Sequence, residues 1–235
     1  MNKFTQAVGL LERRLVKTAR VLAVRAWEPA TFVEVDLHMP DCDMGRWQET
    51  KHMKCRVAPL VYRDYTPSGW DEETHTCTLF IDTSHEGPGA RWAKGLRTGD
   101  AVEYLGVASS HQHPEVDKRL IFLGDESAIG HFLAMQQLAS GWGRTAVKGA
   151  ISIADRRHRE EFEKYFSGMG FSAVEKDGEG GAEALEAWMS GLEGGQAGET
   201  VFYLAGHIPS VVRLRKVLRM KGVAGRQVRA EGFWS

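Results

Sequence analysis

One short segment of the chain carries polar side chains of three kinds that the core of a β-sheet does not require. In the stretch VYRDYTPSGW, residues 61–70, Arg63 offers a cation, Tyr65 a phenol and Thr66 a hydroxyl. Side chains at i and i+2 of a strand share one face, so Arg63 and Tyr65 point together and Thr66 points the other way. The segment is predicted to end at a turn over Pro67–Gly69, and the Thr66-Pro67 step could swing the Thr hydroxyl back towards Tyr65.

A second candidate is the glycine-rich segment HEGPGARW, which runs from His85 to Trp92. It lies between a predicted strand and a short helix, where backbone N–H groups can bind phosphate and Gly87 and Gly89 would let an anion approach closely. It is similar to the opening of a Rossmann fingerprint, but Trp92 stands where the third glycine belongs and the helix is too short to cross a sheet. Two interpretations stay open, a plain loop and a phosphate site within a β-domain.

Two further candidates follow buried strands. In FLGDESA, residues 122–128, a strand runs into Asp125-Glu126-Ser127, and Asp125 or Ser127 would cap the next helix in any case. In YLAGHIPS, residues 203–210, a strand ends at Gly206-His207. His207 could titrate near neutral pH or serve only as a polar surface residue.

The C-terminal part of the chain is basic. Residues 208–230 contain no acid and seven cations, while Val211, Leu214 and Leu218 form the expected buried stripe of a helix. This pattern indicates either a solvated face or an electropositive edge that attracts an anionic substrate or a nucleotide phosphate. The cations are Arg213, Arg215, Lys216, Arg219, Lys221, Arg226 and Arg229.

Composition excludes several classes of protein. The 235 residues are 43% hydrophobic and 26% charged, contain no apolar run long enough for a bilayer, and carry a net charge of -1. We therefore expect no membrane insertion and no nucleic-acid partner, and the N-terminal residues lack a secretory signal, so a cytoplasmic protein is expected. The spacing of Cys42, Cys55 and Cys77 matches no metal or redox motif, so free thiols and no metal site are predicted.

The elements that must position these residues change in type along the chain. Five short, partly alternating apolar segments between residues 20 and 106 predict an antiparallel barrel or sandwich. From residue 120 onward, strands alternate with helices, which is typical of a doubly wound parallel sheet. The predicted organisation is an N-terminal helical extension over residues 1–18, a β-domain over 19–114 and an α/β domain over 115–235.

Taken in order, five motifs resemble the siderophore-interacting protein family, a branch of the ferredoxin-reductase-like flavoproteins. Arg63–Thr66 matches the family's R-x-Y-T flavin motif, and Gly87–Trp92 is close to its Gly-Pro-Ala-Ser-x-Trp. Gly124–Ala128 matches Gly-Asp-Glu-Thr-Ala, Ala205-Gly206 begins its Ala-Gly-Glu, and Gly232–Trp234 stands for its closing Gly-Tyr-Trp. The resemblance covers the chain from about Arg20 to its end.

The resemblance implies an N-terminal antiparallel six-stranded FAD-binding β-barrel, followed by a doubly wound domain for a nicotinamide nucleotide. It also implies an oxidoreductase that passes electrons from NADPH, NADH or reduced ferredoxin through FAD to a ferric siderophore and so releases ferrous iron. No catalytic acid, base or nucleophile is then required, because the flavin carries the chemistry. The alternatives are a flavin reductase of the same fold with another acceptor, and a non-catalytic module that binds flavin or siderophore.

By position, Arg63 would face an FAD phosphate, while Tyr65 and Thr66 would contact the isoalloxazine and the ribityl chain. The rest of the implied FAD site comprises His85, Gly87, Gly89, Ala90, Trp92, Phe233 and Trp234. The implied nucleotide site comprises Asp125, Glu126, Ser127, Gly206 and His207. The cations that could favour an anionic siderophore are Arg213, Lys216, Lys118 and Arg119.

Four positions depart from the family pattern. Ser68 and Ala90 replace an arginine and a serine of the flavin motifs, while Gly130 and His207 replace a proline and a glutamate of the second domain. The backbone phosphate site survives these changes, because it depends on N–H groups. The two changes in the second domain weaken the expectation that it binds a nucleotide.

Overall fold

The computed structural model describes residues 16–141, 147–176, 178–192 and 199–235. These residues form two compact units. The first contains residues up to Ala26 together with Thr31–His111, and the second contains Trp27–Ala30 and Gln112–Ser235. Of the predicted N-terminal helical extension, residues 1–15 lie outside the described residues, and Lys17 and Thr18 belong to the first strand.

The first unit is an antiparallel sheet with the strand order β4-β3-β7-β1-β2-β6-β5. Alternation builds its core, since Met53, Cys55 and Val57 are buried along one strand. Helix α1, Pro88–Gly95, lies between the last two strands in chain order. The strands are β1 Lys17–Ala26, β2 Phe32–His38, β3 Lys51–Ala58, β4 Val61–Tyr65, β5 Pro67–Asp71, β6 Thr76–Asp82 and β7 Ala101–Ser109.

The two edge strands of this sheet, β4 and β5, are separated in the chain by Thr66 alone. Consecutive Cα atoms are about 3.8 Å apart, so the sheet must roll until its two edges meet at this residue. Residues 61–71 therefore act as one bent strand that pairs with β3 at one end and with β6 at the other. Counted in this way the sheet has six strands, as the fold prediction requires.

The predicted turn over Pro67–Gly69 is wrong, because these residues begin β5. Proline is tolerated at the first position of a strand, where its missing N–H interrupts no established ladder. Ser68 is fully buried, and its Oγ donates to the Thr78 carbonyl at 3.2 Å. The position at which the family carries an arginine is thus an interior position of the barrel in this chain.

The second unit is a five-stranded parallel sheet with the order β10-β9-β8-β11-β12. The direction of winding reverses between β8 and β11, which makes the carboxyl ends of these two strands the topological switch point. The strands are β8 Arg119–Asp125, β9 Val147–Ile153, β10 Phe171–Glu175, β11 Thr200–His207 and β12 Val228–Trp234. The helices are α2 Ile129–Gly141, α3 Arg156–Phe166, α4 Ala182–Ser190 and α5 Ile208–Met220.

Within the described ranges, no helix is long and apolar enough to cross a membrane. The same ranges contain no group of three or more His, Cys, Asp and Glu side chains that could hold a metal ion. All three cysteines are free thiols, and burial raises the pKa of Cys77 to about 12. This thiol therefore stays protonated at neutral pH.

Candidate functional site

Arg63 and Tyr65 lie against the start of α1. Both project from the same face of β4, and a Cβ atom added to Gly89 would lie 2.7 Å from Tyr65 Oη and 3.5 Å from Arg63 Cγ. A real side chain does not fit at that distance, so Gly89 is required for the strand and the helix to approach each other. The structure thus brings together the two motifs of the first unit.

Tyr65 is held in place by an aromatic contact. Its ring stacks on Trp92 of α1, with centroids 5.7 Å apart and an interplanar angle of 17°. Burial raises the pKa of Tyr65, so its hydroxyl remains protonated at neutral pH and can donate a hydrogen bond. Trp92 therefore orients the phenol towards the first turn of the helix.

The first turn of α1 presents unsatisfied backbone donors. Gly87 precedes the helix in an extended conformation, no side chain in the described part of the chain caps the helix, and Pro88 occupies the first turn. The Arg91 N–H already bonds to the Gly87 carbonyl at 3.0 Å, which leaves the N–H groups of Gly89 and Ala90 for a ligand. The helix dipole adds a partial positive charge, so a phosphate group suits this position.

The other predicted residues of the first unit lie in or beside the same two segments of the chain. Arg63 is exposed and donates one hydrogen bond from Nη1, to the Tyr62 carbonyl at 2.8 Å, so further donors of the guanidinium face solvent. Thr66 is half-buried at the junction of β4 and β5. His85 is exposed and lies 3.5 Å from Asp82. Burial would raise the pKa of Asp82, but hydrogen bonds from His85 and Ser84 outweigh it, so the pKa is lowered.

A second cluster occupies the switch point of the parallel sheet. Asp125 is buried and accepts hydrogen bonds from the backbone N–H groups of Ser127, at 2.9 Å, and His207, at 2.6 Å. This confirms the prediction that Asp125 caps the helical turn that follows β8. Gly206 has a φ of 114°, and a Cβ atom there would lie 2.5 Å from the Asp125 carboxylate. Asp125 therefore ties the ends of β8 and β11 together.

Trp234 lies over these residues, at the crevice that a switch point forms. Its ring lies 4.4 Å from that of His207, and its Nε1 donates to Ser127 Oγ at 3.2 Å. The Lys176 ammonium lies 5.4 Å from the centroid of the same ring. His207 is itself held by a 2.9 Å hydrogen bond between Nδ1 and Ser210 Oγ. The C-terminal aromatic residue thus sits where a doubly wound sheet binds its ligand.

Glu126 does not face this crevice. It is buried, and one carboxylate oxygen lies 2.6 Å from Nδ1 of the equally buried His158. Nε2 of His158 lies 3.0 Å from the Pro29 carbonyl, which can only accept, so Nε2 carries a proton. In the protonated ring, Nδ1 also donates, to the Glu126 carboxylate. Burial opposes the charge on His158, but the bonds to Glu126 and Pro29 raise its pKa. No sequence motif signalled His158; its only signal is its place on the buried side of α3.

The remaining predicted residues do not form one group. Phe233 is 37% exposed and packs edge-on against the buried His131 at 5.7 Å. Arg213 bonds to Glu183 at 2.7 Å and to Glu186 at 3.4 Å, so its charge is compensated by α4. Lys216 lies on the outer side of α5, whereas Lys118 immediately precedes β8 and Arg119 begins it.

Comparison with known proteins agrees with this geometry. Residues 16–110 match the family model of the siderophore-interacting FAD-binding domain. No curated protein sequence matches the chain.

Solved structures share the fold of both units. The structure of a siderophore-interacting protein from Acinetobacter baumannii aligns at a TM-score of 0.74 and 15% identity, covering 93% of this chain and 90% of that one. A siderophore utilization protein from T. fusca aligns at 0.69 and 22%, covering 93% and 92%. The flavohem-like FAD/NAD-binding domain of a Vibrio cholerae nitric oxide dioxygenase aligns at 0.73 and 14%, covering 93% and 99%.

At these identities the structural matches establish the fold, and the family model identifies the first unit. The resemblance derived from the five motifs is confirmed by both. The chain has the fold of the ferredoxin-reductase-like FAD- and NAD-binding proteins, and its residues 16–110 match the model of the siderophore-interacting FAD-binding domain.

Proposed function

We propose that the protein is an FAD-dependent ferric-siderophore reductase. Electrons would come from a nicotinamide nucleotide or from reduced ferredoxin, and ferrous iron would leave the siderophore. The observation that carries this proposal is the convergence of Arg63 and Tyr65 on Gly89 at the start of α1, within the residues that match the siderophore-interacting FAD-binding model.

The residues at this position fit FAD. The N–H groups of Gly89 and Ala90 would hold the pyrophosphate, and the exposed guanidinium of Arg63 would pair with one of its charges. Tyr65 and Thr66 would contact the isoalloxazine and the ribityl chain, with Trp92 fixing the phenol ring. Gly87 and His85 would border the same phosphate site.

When bound, FAD would accept two electrons from the donor and deliver them singly to iron. The protein's own side chains need only bind and orient the cofactor and admit the ferric complex. Ferrous iron is held more weakly than ferric iron by siderophore oxygens, so reduction releases the metal. An anionic complex would be steered by the positive potential of the cations Lys118, Arg119, Arg213 and Lys216. The proposed reaction belongs to the cytoplasm.

Replacement of Arg63 by alanine is expected to weaken FAD binding about tenfold to 100-fold, because the charge beside the pyrophosphate is lost. The unfolding temperature should stay within about 2 °C, since the side chain is exposed and its one hydrogen bond among the described residues goes to the neighbouring carbonyl of Tyr62. Titration of apoprotein with FAD, followed by flavin fluorescence, measures this.

Arg46→Ala is the matched control, because Arg46 is also exposed and forms an exposed ion pair with the nearby Asp43. This control should leave FAD affinity unchanged. Equal affinities for the Arg63 and Arg46 variants would remove the phosphate role given to Arg63.

The donor site proposed for NADPH or NADH is the crevice formed by Asp125, Ser127, Gly206 and His207. Replacement of Trp234 by alanine is expected to strengthen nucleotide binding about tenfold. In the unmodified protein, a nucleotide must first displace the Trp234 ring, which contacts His207, Ser127 and Lys176. The variant removes this cost. The affinity of the oxidised protein for each nucleotide, measured by calorimetry, tests this.

Phe233→Ala is the control for this experiment, because Phe233 packs against His131 instead. Nucleotide affinity should not change in that variant. If neither NADH nor NADPH binds even after Trp234 is removed, the crevice is not the donor site, and reduced ferredoxin is the remaining donor to test.

The filled crevice also favours a second candidate, a non-catalytic module that binds flavin or siderophore. Anaerobic mixing with NADH, NADPH and reduced ferredoxin separates the two. Bleaching of bound FAD by any donor supports the reductase, and flavin that stays oxidised with all three supports the module. Turnover with ferric siderophores compared with quinones and dyes then separates a ferric-siderophore reductase from a flavin reductase with another acceptor.

A further inference from the structure

The outer side of α5 borders a groove of about 470 Å³ that is separate from the crevice at Asp125 and His207. Val228 of the lining is the first residue of β12, whereas the crevice lies at the carboxyl ends of the strands. The groove therefore lies towards the amino ends of the strands, away from the crevice. Its side chains are Val212, Arg215, Lys216, Arg219, Val223 and Val228.

The three cations of this groove have no acidic partner among the residues that the structure describes. Arg213, on the same helix, pairs with Glu183 and Glu186 of α4. Arg215 and Arg219 are separated by one helical turn, a spacing at which like charges repel. An anionic ligand would relieve this repulsion, so the groove is complementary to negative charge.

Exposed apolar side chains of α5 extend this basic surface towards the start of the helix. Val212 is 61% exposed and Ile208 is 43% exposed, and both lie at helical spacing from Arg215 and Lys216. A free inorganic anion would leave these side chains in water. A ligand with alternating acidic and apolar groups would cover both the basic and the apolar side chains. This favours a protein segment over a simple ion.

The adjacent strand offers an open edge. β12 is the last strand of the sheet, and it pairs with β11 alone among the strands in the described ranges. Ala230 and Gly232 are exposed. A Cβ atom on Gly232 would lie 2.5 Å from Ile208, so the even-numbered positions of β12 face α5. An extended segment paired with this edge would place every second side chain over the exposed basic and apolar side chains of α5.

We propose that the groove between α5 and β12 is a docking surface for an extended acidic and apolar segment of a partner protein. Acidic side chains of the segment meet Arg215, Lys216 and Arg219, and its apolar side chains cover Val212 and Ile208. Its backbone pairs with the open edge of β12. The interaction does not depend on the proposed reductase activity.

The test uses the full FAD-loaded chain and a fluorescein-labelled peptide of alternating Glu and Val, followed by anisotropy at low ionic strength. The double variant R215E/R219E should weaken binding of this peptide by about tenfold or more. The control R20E/R156E makes the same change of charge at exposed positions elsewhere and should bind like the unmodified chain. A peptide of alternating Lys and Val should not bind.

Unchanged FAD content and melting temperature will establish that both variants are folded, since all four positions are exposed. Equal peptide affinity of R215E/R219E and the unmodified chain would overturn the proposal. So would equal binding of the Lys peptide, absence of binding by the Glu peptide, or tighter binding of a single-stranded oligonucleotide. A dimer that R215E/R219E abolishes would assign the groove to a second copy of the chain and overturn it as well.

Discussion

Replacement of Gly89 by valine is expected to raise the dissociation constant for FAD about 100-fold or more. Even the first carbon of the new side chain would lie 2.7 Å from Tyr65 Oη, closer than two such atoms approach. Tyr65 cannot simply rotate away, because its ring is stacked on Trp92. The strand and the helix must therefore separate. This moves Arg63 away from the backbone N–H groups at the start of α1. A 100-fold loss corresponds to about 2.7 kcal/mol of binding free energy.

The same helix provides a control. Gly95→Ala adds a Cβ atom that would meet nothing within 4 Å apart from its chain neighbours and the backbone of its own helix, so this variant should bind FAD normally. FAD titration of both apoproteins, with far-ultraviolet circular dichroism to establish folding, completes the test. A folded Gly89→Val protein with unchanged FAD affinity would show that the contact between β4 and α1 is not the FAD site.

Replacement of His158 by alanine is expected to lower the free energy of unfolding of the second unit by about 3–5 kcal/mol. The variant removes the contact between His158 and the buried Glu126 carboxylate. The carboxylate keeps the hydrogen bond from the Ala154 N–H, at 3.2 Å. It also removes the hydrogen bond to the Pro29 carbonyl and the contact with Trp27, whose ring centroid lies 5.8 Å away. Urea denaturation measures this loss.

Two comparisons isolate the effect of the unpaired charge. Arg159→Ala removes an exposed ion pair with Glu163 on the same helix and should leave the free energy of unfolding essentially unchanged, because solvent screens such a pair. Glu126→Gln, added to His158→Ala, should restore more than about 1 kcal/mol because no buried charge remains. Failure of Glu126→Gln to restore stability would mean that lost packing, and not the carboxylate, explains the loss.

The ion pair also predicts a dependence on pH. The pKa of His158 is raised in the folded state, so its contribution to stability is complete below the unfolded value of about 6.5 and declines as pH rises through the folded value. The difference in melting temperature between the unmodified protein and His158→Gln should therefore shrink between about pH 6 and pH 9. A difference that grows over this range would contradict the assignment of a charged His158.

Most of the fold follows from local patterns. The alternation of Met53, Cys55 and Val57 marks a half-buried strand, and the repeated strands and helices after Arg119 mark a parallel sheet. Two strands escaped prediction. β5 begins with Pro-Ser-Gly, a composition typical of turns, and it is a strand only because β6 pairs with it. β12 lacks a continuous apolar run, because it is an edge strand that depends on β11.

The candidate site was predictable as motifs but not as contacts. Arg63, Tyr65 and the glycine segment could be found in the sequence, whereas the stacking of Tyr65 on Trp92 depends on how the barrel rolls. Glu126 follows a strand in the same way as Asp125, and only the tertiary structure shows that it turns inwards. Its partner His158 lies 32 residues away, a separation at which no local pattern relates two residues.

Reoxidation of the reduced flavoprotein by a ferric siderophore tests the central claim most directly. Protein loaded with FAD and reduced without oxygen would be mixed with ferric catecholate or hydroxamate siderophores in the presence of a ferrous chelator. Reoxidation of the bound flavin, with formation of about two ferrous ions for each FAD, is the predicted result. A flavin that quinones or dyes reoxidise while every ferric siderophore leaves it reduced would contradict the claim, as would a purified protein that neither contains nor takes up FAD.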